Sequence, residues 1–189
     1  MMFRSKATYW DVLILSLLAV VITLHPYFMH GKINIFEIGL YLPGIQAVLN
    51  GEIPYRDVFH LRGPLELYVP ALLMKIFGVH IGVLYSYFYV GSVLCLIFGV
   101  LIAKELLKTR FVLYLFAPVL IARTFPRVVF TYWGGMRYAL GLLAVWFIIK
   151  FFKSDKPRWL LGAGIVSALS SLTSIEIGIY AVLGALAAL

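Results

Sequence analysis

Residues 33–78 read INIFEIGLYLPGIQAVLNGEIPYRDVFHLRGPLELYVPALLMKIFG, and they interrupt a chain that otherwise consists mainly of apolar runs with short basic punctuation. The stretch holds half of the chain's acidic residues and several Pro and Gly turn signals, while parts of it keep a helical apolar pattern. A charged segment between the apolar runs of a membrane protein is where chemistry is expected. We interpret the remaining sequence as the frame that holds this segment at a membrane surface.

The composition predicts an all-α, polytopic transmembrane helical bundle. Hydrophobic residues make up 63% of the chain and charged residues 13%, whereas a soluble domain is about half apolar and about a quarter charged. Several apolar runs approach the roughly 20 residues that cross a bilayer, which predicts about five or six spans. The net charge of +8 is typical of basic loops that face anionic lipid, so membrane lipid and not nucleic acid is the expected partner.

A single transmembrane domain is predicted over residues 1–189, with a first span at 10–28, an extracytoplasmic loop at 31–80 and the other spans in 81–189. Those later spans are expected at 81–101, 111–122, 136–152, from 159, and from 177. Arg4 and Lys6 precede the first span, which predicts that the N-terminus is cytoplasmic. The expected location is the plasma or inner membrane. Because the sequence stops within an apolar run, we expect it to be a fragment.

The first half of the loop is predicted to form a largely apolar helix. Its polar residues share one face through helical spacing: Asn34, Glu37 and Tyr41. Pro43 is expected to kink or restart the helix, and the pair Asn50-Gly51 to end it.

A second helix is predicted after an extended stretch around Pro54. Pro64 occupies the favoured first helical position, Glu66 lies in the first turn, and Gly78 closes the helix after about a dozen residues. That length is too short for a span, so both helices of the loop are expected to lie in the membrane interface.

Two carboxylates in apolar surroundings are candidate functional groups. Glu37 lies on the apolar first helix of the loop, where burial would raise its proton affinity and suit it to act as a general base for a hydroxyl. The alternative is a solvated glutamate in the interface. Glu176 lies between two apolar runs without a neighbouring cation, and it is either functional or hydrated at an outer helix end.

The run PYRDVFHLRGPL concentrates cations and an acid. Arg56 and Arg62 suit a phosphate group, because guanidinium can form bidentate contacts. The alternative for Arg56 is a surface pair with Asp57 that fixes the loop. His60 is a candidate site residue as well, although a structural hydrogen-bonding role is the commoner one for such a histidine.

A second set of arginines flanks the next expected outer loop. The set comprises Arg123, Arg127 and Arg137, with Gly134-Gly135 between the last two. Glycines next to cations could form an anion cradle. Snorkelling of the arginines to the interface is the alternative.

These residues resemble the first extracytoplasmic loop of the GT-C membrane glycosyltransferases, in particular the bacterial branch similar to protein O-mannosyltransferases and lipid A aminoarabinose transferases. The family pattern is an acid after the first span, a helix, a G-x-PYRD turn, a GPL or PPL run and a helix that ends in Phe-Gly. The positions that supply the turn and the second helix are Gly51, Pro54, Tyr55, Arg56, Asp57, Gly63, Pro64, Leu65, Phe77 and Gly78. Looser similarity extends to WGGMRYALGLL and SLTSIEIGIYAVL.

The resemblance implies a transferase that moves a sugar from a polyprenyl-phosphate-linked donor to a cell-envelope acceptor, a lipid, protein or glycan, at the outer membrane face. Glu37 matches the family's first-loop acid and would activate or position the acceptor, with Asp57 as a second catalytic candidate. The donor phosphate would be held by basic residues: Arg56, Arg62, Arg127 and Arg137. Many members carry Asp or Asp-Glu where this chain has Glu37, so base identity and a requirement for Mg²⁺ or Mn²⁺ stay open.

Two other function classes compete with this hypothesis. One is a flippase or transporter of a lipid-linked sugar, and the other is a non-catalytic membrane partner in an envelope complex. A transporter is expected to carry charged residues deep in its spans. The expected spans here are almost free of charge, which favours chemistry at the membrane surface.

Overall fold

The computed structural model describes residues 6–24, 35–107, 109–124 and 135–188. In these residues all regular structure is helical, which confirms the predicted all-α class. The helices in chain order are α1 Tyr9–Thr23, α2 Ile35–Leu49, α3 Leu65–Phe77, α4 Ile81–Leu106, α5 Arg110–Thr124, α6 Gly135–Ser154, α7 Pro157–Thr173 and α8 Ile175–Ala188.

Within the described residues, two helices are long and apolar enough to cross a membrane. They are α4 with 26 residues and α6 with 20 residues, whose lengths of about 39 and about 30 Å match or exceed a hydrocarbon core of about 30 Å. The helices α1, α5, α7 and α8 have 15, 15, 17 and 14 residues. The structure therefore shows two candidate spans and does not confirm the expected five or six.

The central pair α4 and α6 packs with direct backbone contact. A Cβ atom on Gly91 of α4 would overlap the backbone nitrogen of Met136, and one on Gly135 of α6 would lie 2.6 Å from the backbone nitrogen of Ser92. Glycine at both positions thus allows the two helix backbones to touch. Such small-residue contacts are typical of helix pairs that associate without a hydrophobic driving force, as in lipid.

The helices α1 and α5 pack on the C-terminal half of α4. Their shared core consists of Val12, Leu15, Ala19, Leu96, Val100, Ala103, Leu113 and Ala117. The outward-facing side chains of the bundle are apolar too, and the exposed ones include Leu13, Leu17, Val21, Leu115, Val119, Leu161, Ile165, Leu183 and Leu186. An apolar exterior of this extent is typical of a surface that contacts a membrane or another protein.

One end of the bundle collects basic side chains around Glu105, the next-to-last residue of α4. Its carboxylate lies 3.3 Å from the Nζ of Lys104, 3.6 Å from that of Lys150 and 3.0 Å from that of Lys153. Lys156 lies in the turn between α6 and α7, and Arg158 lies in the first turn of α7. We call this set of cations, together with Arg110 at the start of α5, the basic end.

Asp11 fastens α1 to α5 at the basic end. Its side chain has no exposed surface, and one carboxylate oxygen lies 2.6 Å from a guanidinium nitrogen of Arg110. The same oxygen accepts a hydrogen bond from the Tyr114 hydroxyl at 3.0 Å, while the other accepts bonds from Thr8. Asp11 therefore forms a buried ion pair between two helices.

The helices α2 and α3, with the turn between them, form a layer over the N-terminal part of α4, which we call the loop layer (residues 35–78). Its core is built by Tyr41, Ile45, Leu67, Ala71, Met74, Val83, Leu84, Tyr87 and Phe88. Val83 and Glu105 are separated by about 33 Å along α4 at 1.5 Å per residue. The loop layer and the basic end therefore lie at opposite ends of the bundle.

Turn residues set the ends of both helices in the loop layer much as predicted. The helix α2 ends at Leu49, before Gly51 at φ 89°, and α3 ends at Phe77, before Gly78 at φ 98°. Glycine adopts these left-handed conformations at little cost. The helix α2 passes through Pro43 without a break, so the expected restart there was wrong.

The contact between α4 and α6 yields a stability prediction. We expect Gly91→Ala to lower the free energy of unfolding by roughly 1–3 kcal/mol, because the added methyl group forces two packed backbones apart. Thermal unfolding in detergent, followed by circular dichroism, measures the change. Gly164→Ala in α7 is the control, since nothing lies within 4 Å of its Cβ position, and it should keep or gain stability. Equal melting of both variants would contradict the described contact.

Candidate functional site

The loop layer encloses a carboxylate with no solvent exposure. Glu66, in the first turn of α3, is 0% exposed, and so is Tyr41 on α2. The Tyr41 hydroxyl donates a hydrogen bond to Oε2 of Glu66. Since a buried carboxylate is costly unless polar groups replace its water, this bond ties the two helices of the loop layer together.

His60 lies against the same tyrosine. Its ring centroid is 5.7 Å from that of Tyr41, with the planes at 66°, and its side chain is only 6% exposed. Burial lowers the pKa of His60, and the positive charge of Arg62 lowers that pKa further. The imidazole is therefore neutral near pH 7. Its Nε2 atom is buried without a hydrogen-bond partner in the part of the chain that the structure describes.

Arg62 is half-buried two residues farther along. Its Nε atom is also buried and has no hydrogen-bond partner among residues 6–24, 35–107, 109–124 and 135–188. The backbone carbonyl of Arg62 accepts a hydrogen bond from the Tyr55 hydroxyl, and Tyr55 itself has a left-handed backbone at φ 67°. The turn thus folds back on itself and fixes the backbone that carries both His60 and Arg62.

The C-terminal end of α7 packs directly against this turn. The Gly63 N–H donates to the Thr173 carbonyl at 2.9 Å, and a Cβ at position 63 would overlap the Leu172 carbonyl. Only glycine permits this approach, which places the GPL run directly on α7. Three hydroxyl residues at this helix end are buried, namely Ser170, Thr173 and Ser174.

Arg137 is a further buried cation near the loop layer. It lies in the first turn of α6, is 3% exposed, and stacks its guanidinium 4.8 Å from the ring centroid of Tyr138. The preceding residue, Met136, packs on the core of the loop layer. Burial excludes simple snorkelling as the role of Arg137.

Arg56 and Asp57 are placed differently from the other predicted site residues. They form a bidentate pair with both N–O distances at 2.8 Å, and the Arg56 side chain is 67% exposed. Asp57 also accepts the backbone N–H of Ile53 at 2.8 Å, and these two donors hold its pKa below the usual range. The geometry is that of the surface pair that we weighed as the alternative, and a catalytic role of Asp57 stays a prediction.

The other predicted site residues are partly beyond the described structure. Glu37 lies in the first turn of α2, one helical turn before Tyr41, but its side chain is outside the described part, as are Arg127 and the side chain of Arg123. Glu176 lies in the first turn of α8 and is exposed, as expected for a hydrated carboxylate. The structure thus links His60 through the Tyr41 ring to Glu66, a residue that the sequence did not mark as a site residue, and Arg62 follows on the same turn.

Glu66 was interpreted from sequence only as a helix-start acid. It lies on the buried stripe of α3, whose other members are Leu67, Pro70, Ala71 and Met74. An acid one turn before Pro70 on such a stripe is a signal that could have identified it.

The described residues do not assemble a metal-ligand set. Among them, no three His, Cys, Asp or Glu side chains are grouped so that they could hold a metal ion. A requirement for Mg²⁺ or Mn²⁺ therefore stays an expectation from the sequence, and we derive no step through a metal.

Comparison with known proteins adds no relative to this geometry. No protein-family model, curated protein or solved structure matches the chain. The function must therefore be argued from the residues themselves.

The buried contact between Tyr41 and Glu66 yields a second stability prediction. We expect Tyr41→Phe to lower the free energy of unfolding by roughly 1–3 kcal/mol, because a buried carboxylate loses one of its donors. Chemical denaturation in detergent measures the loss. Tyr68→Phe on α3, where the side chain is 42% exposed, is the matched control and should unfold like the wild type. A wild-type value for Tyr41→Phe would show that the hydroxyl stabilises nothing.

Proposed function

We propose that this chain is a GT-C-type membrane glycosyltransferase, which moves a sugar from a polyprenyl-phosphate-linked donor to a lipid, protein or glycan acceptor of the cell envelope. The observation that carries the proposal is the placement of the PYRD–GPL segment. It lies on one end of an apolar bundle and contains a neutral imidazole, His60, and a half-buried guanidinium, Arg62, and the buried carboxylate of Glu66 follows it directly.

The bundle is proposed to lie in a plasma or inner membrane, with α4 and α6 crossing it and α1, α5, α7 and α8 as the further spans. The apolar exterior supports this placement, because exposed leucines and valines cover the sides of the bundle. The basic end would face the cytoplasm under the positive-inside rule. That orientation puts the N-terminus inside and the loop layer at the outer face, where a lipid-linked donor presents its sugar.

Glycosyl transfer requires a group that accepts one proton and cations near the leaving phosphate. A bond forms between the acceptor oxygen and the anomeric carbon, the bond from that carbon to the phosphate oxygen breaks, and the acceptor hydroxyl loses a proton. In the proposal Glu37 accepts that proton or positions the hydroxyl. Fixed cations stabilise the charge that develops on the leaving phosphate.

Arg62 is the best-supported cation for the phosphate. Its Nε is buried and lacks a hydrogen-bond partner within the described chain. A phosphate oxygen bound there would supply the missing hydrogen-bond acceptor. Arg127 and Arg137 are further candidates, the second because it is buried beside the loop layer. Arg56 would first have to exchange the Asp57 carboxylate for phosphate.

The distribution of charge along α4 favours transfer at the surface over transport through the bundle. No charged residue occurs between position 81 and Lys104, so the longest helix offers no charged group near a membrane midplane. Transport pathways usually depend on such groups.

Replacing the first-loop acid tests the transferase proposal. We expect Glu37→Gln to reduce sugar transfer by roughly 10²- to 10⁴-fold, because the amide cannot accept the proton of the acceptor. The assay uses the full-length protein in proteoliposomes with radiolabelled undecaprenyl phosphate mannose or aminoarabinose, and it follows label in envelope acceptors. Membrane insertion should be unchanged.

Glu52→Gln provides the control for this assay. Glu52 is exposed in the turn that follows α2, so its substitution should leave transfer intact. Wild-type turnover by Glu37→Gln would exclude the catalytic role of that residue. Movement of the donor across the bilayer without any transfer would instead indicate a flippase, and binding alone would indicate a non-catalytic partner.

A further inference from the structure

Two buried nitrogen atoms that lack partners lie two residues apart in the turn of the loop layer. They are Nε2 of His60 and Nε of Arg62, and neither has a hydrogen-bond partner in the part of the chain covered by the structure. The His60 side chain is 94% buried, as its 6% exposure shows. Buried polar atoms in folded proteins are nearly always bonded, so the two unmet nitrogen atoms are candidates for contact with a ligand, and the charge of Arg62 is close enough to lower the pKa of His60.

We propose that His60 and Arg62 form one phosphate subsite, in which His60 takes up a proton when a phosphate monoester is bound. The inference rests on the proposed transferase function and deepens it. It names the polyprenyl phosphate product as the preferred ligand of the subsite and His60 as the residue that detects its second negative charge.

The charges of the two residues match the two states of the phosphate. With His60 neutral, the subsite carries the single positive charge of Arg62, which suits the monoanionic phosphodiester of the donor. When the sugar leaves, the phosphate becomes a monoester that can hold two negative charges. A protonated His60 then supplies the second positive charge and a charge-assisted hydrogen bond.

The proton balance of the reaction permits this change. The acceptor hydroxyl loses one proton as its oxygen bonds to the anomeric carbon, and the phosphate oxygen keeps the electron pair of the bond that breaks. One negative charge and one proton are therefore produced together. In the proposed transfer Glu37 takes this proton first; its release from Glu37 and uptake by His60 restore the Glu37 carboxylate and keep the turn electrically balanced without any additional reactant.

The surroundings of His60 are consistent with a histidine that is neutral until an anion arrives. The titratable and charged groups around it are Tyr41 on α2, Glu66 on α3 behind the Tyr41 hydroxyl, Tyr87 of the same core on α4, and Arg62 on its own segment. Burial and Arg62 both lower the pKa of His60, and a bound dianion opposes both effects.

Isothermal titration calorimetry tests the inference with farnesyl phosphate as the monoester and farnesyl methyl phosphate as the diester. The purified full-length protein is titrated in detergent between pH 7 and 8, in two buffers of different ionisation enthalpy. We expect monoester binding to take up about one proton and its Kd to rise up to tenfold per pH unit, because one protonation is linked to binding. Diester binding should change less than twofold.

Variants assign the proton to a residue. His60→Gln should abolish the uptake and the pH dependence, whereas His80→Gln, at an exposed histidine that precedes α4, should keep both. Arg62→Gln should weaken both probes by roughly tenfold or more. The comparison of the two probes in the wild-type protein needs no variant. It therefore still tests proton-linked monoester binding if His60→Gln misfolds.

Equal pH dependence of the two probes, or proton uptake that persists in a folded His60→Gln, would overturn the inference while leaving sugar transfer unaffected. Conversely, proton-linked monoester binding in a protein that transfers no sugar would support the subsite and reject the transferase proposal. The two hypotheses therefore fail in distinguishable ways.

Discussion

The hydrogen bond from Tyr41 to the buried carboxylate of Glu66 is the interaction on which the arrangement of the loop layer depends. A carboxylate without solvent exposure needs protein donors in place of water, and the tyrosine that supplies one belongs to the other helix of the layer. The bond therefore fixes α2 against α3. Through the ring contact with His60 and the docking of Gly63 on α7, the same arrangement positions the turn that carries Arg62.

The two ends of the bundle carry different charged groups, so the molecule is electrostatically asymmetric. At the basic end, three lysines surround one glutamate and leave an excess of positive charge. At the other end, the loop layer contains the buried Glu66 and His60 and the half-buried Arg62. In a membrane the first pattern is typical of a cytoplasmic face, and our proposal accordingly places the loop layer outside.

Local signals in the sequence predicted the local structure well. Gly51 and Gly78 end helices because they reach left-handed backbone angles. Pro64 lies at the N-cap of α3, one residue before the first helical position that was predicted for it. The burial of His60 was beyond such signals, because it results from packing between segments that are distant in sequence, whereas the apolar stripe of α3 could have identified the buried Glu66. The expected five or six spans stay unconfirmed, because two of the described helices are long and apolar enough to cross a membrane and hydropathy marks apolar runs, not where each helix ends.

The central claim is that the loop layer and the basic end lie on opposite sides of a membrane, with the loop layer outside. Labelling of single cysteines by a membrane-impermeant maleimide tests it most directly, in a Cys95→Ser background that removes the chain's only cysteine. On intact spheroplasts, Glu52→Cys should react, whereas Lys156→Cys should react only after permeabilisation. Reaction of Lys156→Cys on intact spheroplasts, with Glu52→Cys protected, would contradict the account.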